Sequence, residues 1–202
     1  LRDARCPDWQ AYPERLPGTP VVIEEAVVTA VFGDAFTIQD PEGGAYSALW
    51  VYNQRRELQD ALQPGHLVRV EGSLIEFFTL TELVPDPSGI TIQGMSPVPE
   101  PIVVNDPVRV ADGGDLVEAM ESVLIEVPST RVLNTAPDCP RDFGMFVVSG
   151  NLRIGSEADF DYTPARSDVA LSVRGVLHYS FEHQKLFPRG DEDIIAVDCG
   201  GL

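Results

Sequence analysis

Apolar and polar residues alternate along two stretches of this chain, and the two stretches match each other. The first is Leu67-Val68-Arg69-Val70-Glu71-Gly72-Ser73-Leu74-Ile75-Glu76-Phe77-Phe78-Thr79-Leu80-Thr81-Glu82-Leu83. The second is Ala170-Leu171-Ser172-Val173-Arg174-Gly175-Val176-Leu177-His178-Tyr179-Ser180-Phe181-Glu182-His183-Gln184-Lys185-Leu186. Gly72 falls on Gly175, Leu74 on Leu177, Phe78 on Phe181 and Leu83 on Leu186, without a gap. A period of two predicts a strand with one buried face. A glycine inside such a strand marks a bulge or bend where a side chain does not fit. Each copy then turns an aromatic-rich corner and resumes, which is how a small antiparallel barrel folds over itself. Two copies predict two barrels.

The remaining pattern fills in both. Val21 to Phe32 reads as a long strand ended by Gly33-Asp34, Ala35 to Gln39 as a second, and Tyr46 to Tyr52 as a third. Arg55 to Leu62 predicts a short helix stopped by Pro64-Gly65. The repeated strand, His66 to Glu76, is the fourth, and Thr81 to Val84, resuming at Ile90-Thr91-Ile92, is the fifth. Five strands with a short helix between the third and fourth is the order of an OB-fold barrel. In the second half the strands are Val123 to Val127, Phe146 to Val148, Asn151 to Ile154, Val169 to His178, and Gln184 to Leu186 resuming near Ile194. The reading is therefore all-β: two tandem OB-fold-like five-stranded barrels with short helices. Residues 1–20 form an irregular lead-in anchored by Trp9 and Tyr12, 21–96 the first barrel, 97–120 a linker and short helix, and 121–202 the second barrel. Pro97, Pro99, Pro101 and Pro107 suggest a stiff connector, and Asp115 an N-cap for a helix from Leu116 to Glu121.

Composition agrees. The 202 residues suffice for two domains of about 100 each, and a hydrophobic content of 44% supplies two cores. The net charge of −18 changes the picture of partners, because such a surface repels phosphate polyanions. It disfavours a nucleic acid and points to plain solubility first, then to cationic partners or calcium; a protein or glycan is the expected partner. Cys6, Cys139 and Cys199 lack zinc-site spacing. Either one pair bridges and leaves the third free, with Cys6 and Cys199 the plausible pair because chain ends often lie close, or all three are unbridged. No run of 18 apolar residues is present, so no membrane span is expected. With neither a signal peptide nor an initial Met, a mature or trimmed exported form is expected, placed extracellularly, at the cell surface or in the periplasm.

The runs Ala35 to Asp40, Leu49 to Tyr52, Gly65 to Gly72 and Leu80 to Leu83 resemble the OB-like region of secreted bacterial extracellular nucleases. Glu121 to Val127 and Phe143 to Ser149 sit where that family places similar segments. In that family the region precedes an endonuclease/exonuclease/phosphatase-type domain, and this chain ends where that domain would begin. The Gly-Asp-x-Asn and Ser-Asp-His segments such a domain uses are missing. The resemblance thus implies an accessory module rather than a nuclease.

No catalytic residues are assigned. His178 and His183 flank the second corner without needing to converge, and neither a Gly-x-Ser-x-Gly nor a His-Glu-x-x-His motif is present. Calcium needs six to eight oxygens, for which Asp191 and Asp193 are the candidates among several acidic turns; no other cofactor is expected. For ligand binding, an OB-fold offers the outer surface of its second and third strands. If Leu49 and Val51 fill the barrel, Trp50 and Tyr52 lie outside, with Phe36, Phe77, Phe78 and Arg55 nearby. Such a platform stacks on bases or sugar rings, unless the rings are covered by another part of the chain. The expected function is a non-catalytic exported binding or scaffold module; the alternative is a nucleic-acid-binding accessory of an extracellular nuclease.

Overall fold

The computed structural model describes residues 18–53, 61–155, 160–166, 169 and 171–196. The protein is mostly β and divides into two units. One comprises residues up to Glu100 together with Glu118–Val123; the other comprises Pro101–Val117 and residues from Leu124 onward.

In the first unit β1 is Thr19–Val31, β2 Ala35–Gln39, β3 Ala48–Tyr52, β4 His66–Phe77 and β5 Leu80–Met95. Pairing runs β1-β2-β3-β5-β4 and returns to β1, closing a ring. All its pairs are antiparallel except β3 with β5, where Trp50 lies beside Glu82 and Val51 beside Leu83. Val68, Val70 and Leu74 of β4 point inward with Phe36, Ile38, Leu49, Val51 and Leu83, as the alternation requires. Gly72 has a physical reason. A Cβ there would lie 2.2 Å from the Val84 carbonyl oxygen, closer than atoms can approach. Opposite it β5 bulges: the register jumps from Gly72↔Pro85 to Val70↔Ile90, leaving Asp86 to Gly89 outside the ladder. The fifth strand is thus one bulged strand rather than two separated segments. The helix expected from Arg55 falls largely on residues 54–60, outside the described ones.

In the second unit β6 is Ile102–Val103, β7 Leu124–Thr130, β8 Val132–Asn134, β9 Phe146–Val148, β10 Arg153–Ile154, β11 Leu171–Ser180, β12 His183–Phe187 and β13 Ile194–Ala196. The order is β6-β7-β11-β12-β10-β9-β8, with β13 also on β11. The proline-rich stretch is not a plain connector, because Ile102 and Val103 pair with Ile125 and Glu126. Among the described residues the one α-helix, α1, is Val117–Met120, of which Glu118 onward belongs to the first unit. Asp115, expected to cap this helix, instead takes two hydrogen bonds from Arg109 on its carboxylate, at 2.9 and 2.7 Å. That ion pair holds the carboxyl below its usual range.

The expectation of a second closed barrel is not met in that form, since this sheet is an open path among the described residues. The ladder is interrupted at Arg131, just past the left-handed Ser129 (φ 53°) of β7. β7 pairs with β11 and β8 with β9, as the two parts of β1 pair with β4 and β2, so the second sheet differs by this break rather than by its partners. Other features do repeat. β10 runs parallel to β12 as β3 does to β5, with Arg153 beside Lys185 and Ile154 beside Leu186. A Cβ on Gly175 would lie 2.4 Å from the Phe187 carbonyl oxygen. Opposite that glycine the chain again leaves the ladder, at Pro188 to Asp193, and returns as β13.

Candidate ligand surface at the β4–β5 hairpin

The expected aromatic platform is only partly formed. Phe36 is not on the outer surface: it is fully buried beside Ile38 in the first core, because residues two apart in a strand share a face. Trp50 does point away from Leu49 and Val51, but only 6% of it is exposed. Its ring stacks on Phe32 at 5.1 Å and 16°. The same outer face carries Thr29 and Thr37, joined by a buried 2.7 Å hydroxyl hydrogen bond. Residues 118–123 reach this unit's edge: Tyr46 N–H donates to the Ala119 carbonyl (2.8 Å) and Thr81 N–H to Glu121 Oε1 (3.1 Å). Trp50 is therefore a packing residue. Tyr52 is half-buried, and Arg55 lies outside the described residues.

Phe77 and Phe78 remain as an exposed pair. They are 52% and 78% exposed, and their rings meet edge to face at 4.7 Å and 81°. The turn that carries them has two central residues, Phe78 (φ 49°) and Thr79 (φ 71°), between paired Phe77 and Leu80. Two left-handed residues in succession suit a tight hairpin's twist, and asparagine and glycine are the residues that adopt them easily. The β11–β12 hairpin repeats the arrangement, with Phe181 (φ 50°) and Glu182 (φ 67°) between paired Ser180 and His183. Phe181 is 89% exposed. The Lys185 ammonium lies 5.0 Å from its ring centroid and donates to Ser180 Oγ at 2.9 Å.

Sequence reasoning passed over Glu82. It lies beside Trp50 on the outer face of β5, and it is as deeply buried as Trp50. Burial, then the charges of Asp34 and Glu76, push its carboxyl up to about 7. Its counterpart in the second unit is Lys185, also buried. The signal was available: Glu82 and Lys185 are charged residues one position before the matched leucines, Leu83 and Leu186.

A carboxyl held above its unfolded value of 4.5 favours folding fully below that value. The contribution disappears as pH rises through about 7. Glu82→Gln removes the ionisation. The variant is expected to match the parent at pH 4.5 and to be more stable at pH 8, by roughly 2–3 kcal/mol. Urea denaturation of both proteins across that range measures the difference, and a pH-independent difference contradicts it.

The residues proposed for calcium do not converge. Asp193 is buried, and both its oxygens are held by Arg189 through three hydrogen bonds of 2.7–2.9 Å. Asp191 Oδ1 accepts instead from Asp161 N–H at 2.8 Å. Among the described residues no three His, Cys, Asp or Glu side chains form a group able to hold a metal ion. The histidines have separate surroundings. His178 stacks on Phe187 at 4.9 Å, and burial, aided by Lys185, pushes its imidazole down to about 3. His183 Nδ1 lies 2.7 Å from Asp112 Oδ2. Cys139 is an exposed free thiol, whereas Cys6 and Cys199 lie outside the described residues.

No protein-family model and no curated protein matches this chain.

Proposed function

We propose that this chain is a non-catalytic, exported binding module of two tandem OB-like barrels that presents aromatic hairpin tips to a protein or glycan partner. The strand order of the first unit supports the OB-like reading, as does the parallel third-to-fifth pairing found in both units. One observation carries the functional part. Both hairpins place an exposed phenylalanine at a left-handed position, where the backbone is strained by about 1–3 kcal/mol. Packing does not require rings that stand this far out. Contact with a partner does, because an aromatic ring supplies large rigid contact area at low entropic cost.

The competing reading is an accessory to an extracellular nuclease, with the Phe77 and Phe78 rings stacking on bases. A net charge of −18 opposes it, since phosphate contacts dominate nucleic-acid affinity. Calorimetry of the parent protein and of a Phe77→Ala/Phe78→Ala/Phe181→Ala variant, against a glycan panel and single-stranded DNA, separates the two. Glycan binding that falls at least tenfold in the variant supports the proposed module. DNA binding that weakens steeply with salt supports the accessory reading. Binding equal in parent and variant removes the hairpin tips from either.

A further inference from the structure

We propose that the outer edge of β5 from Ile90 to Met95 pairs with the same edge of a second copy of this chain, as an antiparallel strand addition. Among the described residues β5 has β3 as a neighbour only at Glu82 and Leu83, and from Ile90 onward it pairs with β4 alone. Among the described residues no backbone hydrogen bond reaches the other side of Thr91 to Met95. All five are exposed, Ile92 at 40% and Met95 at 61%. A row of unpaired N–H and C=O groups on an extended segment is a template for another strand.

The neighbouring edges carry prolines or charges and this one does not. On β1 the segment that pairs only with β4 carries Pro20, Glu24, Glu25 and a register shift between Ile23 and Ala26. The preceding part of β5 carries Pro85, Pro87 and the bulge. Charges, prolines and bulges are the usual defences of an edge. Ile90-Thr91-Ile92-Gln93-Gly94-Met95 carries no proline and no charge, its one irregularity being the register shift that skips Gln93 between Ile92 and Gly94, and no charged residue occurs from Pro87 to Pro99. Ser96 N–H then returns to the Gly65 carbonyl and Pro97 ends the exposed edge.

The charge pattern selects the occupant. Two copies carrying −18 each repel wherever carboxylates meet, and this strip is where they do not. The strip is also its own complement under a two-fold axis, as a closed dimer requires. With Thr91 on the axis, Ile90 falls opposite Ile92 within the regularly paired stretch Ile90 to Ile92, so apolar meets apolar.

Sedimentation equilibrium of the 202-residue chain from about 10 µM to about 1 mM is the test. The apparent mass is expected to rise toward twice the monomer value, and to do so at lower concentration in high salt, because salt screens the repulsion. An Ile92→Glu/Gln93→Glu variant should stay monomeric throughout, while Val22→Glu on the guarded β1 edge should behave as the parent. Hydrogen exchange on the unaltered protein provides a second readout: amides of Thr91 to Gln93 should gain protection with concentration. A parent that stays monomeric, a dimer indifferent to the two glutamates, or concentration-independent exchange at these amides overturns the proposal.

Discussion

Gly72→Ala and Gly175→Ala are each expected to lower stability by about 3 kcal/mol or more, at or beyond the upper end of ordinary overpacking. For a domain of this size that corresponds to a melting temperature roughly 12–24 °C lower. At Gly72 the added Cβ meets the Val84 carbonyl oxygen at 2.2 Å and Pro85 Cα at 2.7 Å. At Gly175 it meets the Phe187 carbonyl oxygen at 2.4 Å and its carbon at 2.6 Å. These are backbone atoms at the edge of a bulge, so no side chain can rotate away. The ladder itself must separate. Gly33→Ala is the control, with nothing within 4 Å of the new methyl and an expected change within about 0.5 kcal/mol. Urea denaturation of the three variants checks the contrast, and equal small effects refute the close-approach account.

Asp193→Asn is expected to cost about 3 kcal/mol. The carboxylate is buried and binds Arg189 Nε and Nη2 at 2.7 Å each, and the Arg189 backbone N–H at 2.9 Å. Removing one member of such a pair strands the other's charge, at about 3–5 kcal/mol for a fully buried pair. The Arg189 side chain keeps 20% exposure, which places the loss at the lower end. An Arg189→Leu/Asp193→Leu double variant should recover much of it, since no lone charge remains. Denaturation curves of the single and double variants distinguish this from simple loss of volume, which predicts that the double variant is the worse. The pair joins Arg189 to Asp193 within the excursion opposite Gly175, so it fixes the bulge that the glycine makes room for.

Much of the fold was legible because it is local. The alternation through Val68, Val70 and Leu74 named the inward face of β4 correctly, and the same alternation joined Phe36 to Ile38. Placing Phe36 on the surface ignored that rule. The exposed Phe77 and Phe78 were legible as an aromatic corner. That the Trp50 ring is covered was an open expectation, but what covers it was not legible. Its orientation follows from strand parity, but its environment depends on Phe32 and on Glu82, which lies beside it from a distant strand. Nor did spacing show that Asp193 belongs to Arg189 rather than to a metal, because an acidic turn looks the same whether its charges face water or an arginine.

By itself the sequence determined that the chain is built of strands, where the repeated glycine bends them, and that its surface is strongly acidic. These follow from residue type and a period of two, which a short window contains. Tertiary structure decided the rest. Among the described residues it closed the first sheet into a ring, left the second an open path, buried Glu82 and Lys185 at matching positions, and gave one edge of β5 no strand partner. Each depends on which distant segments meet, and a chain's local pattern carries little record of its far neighbours.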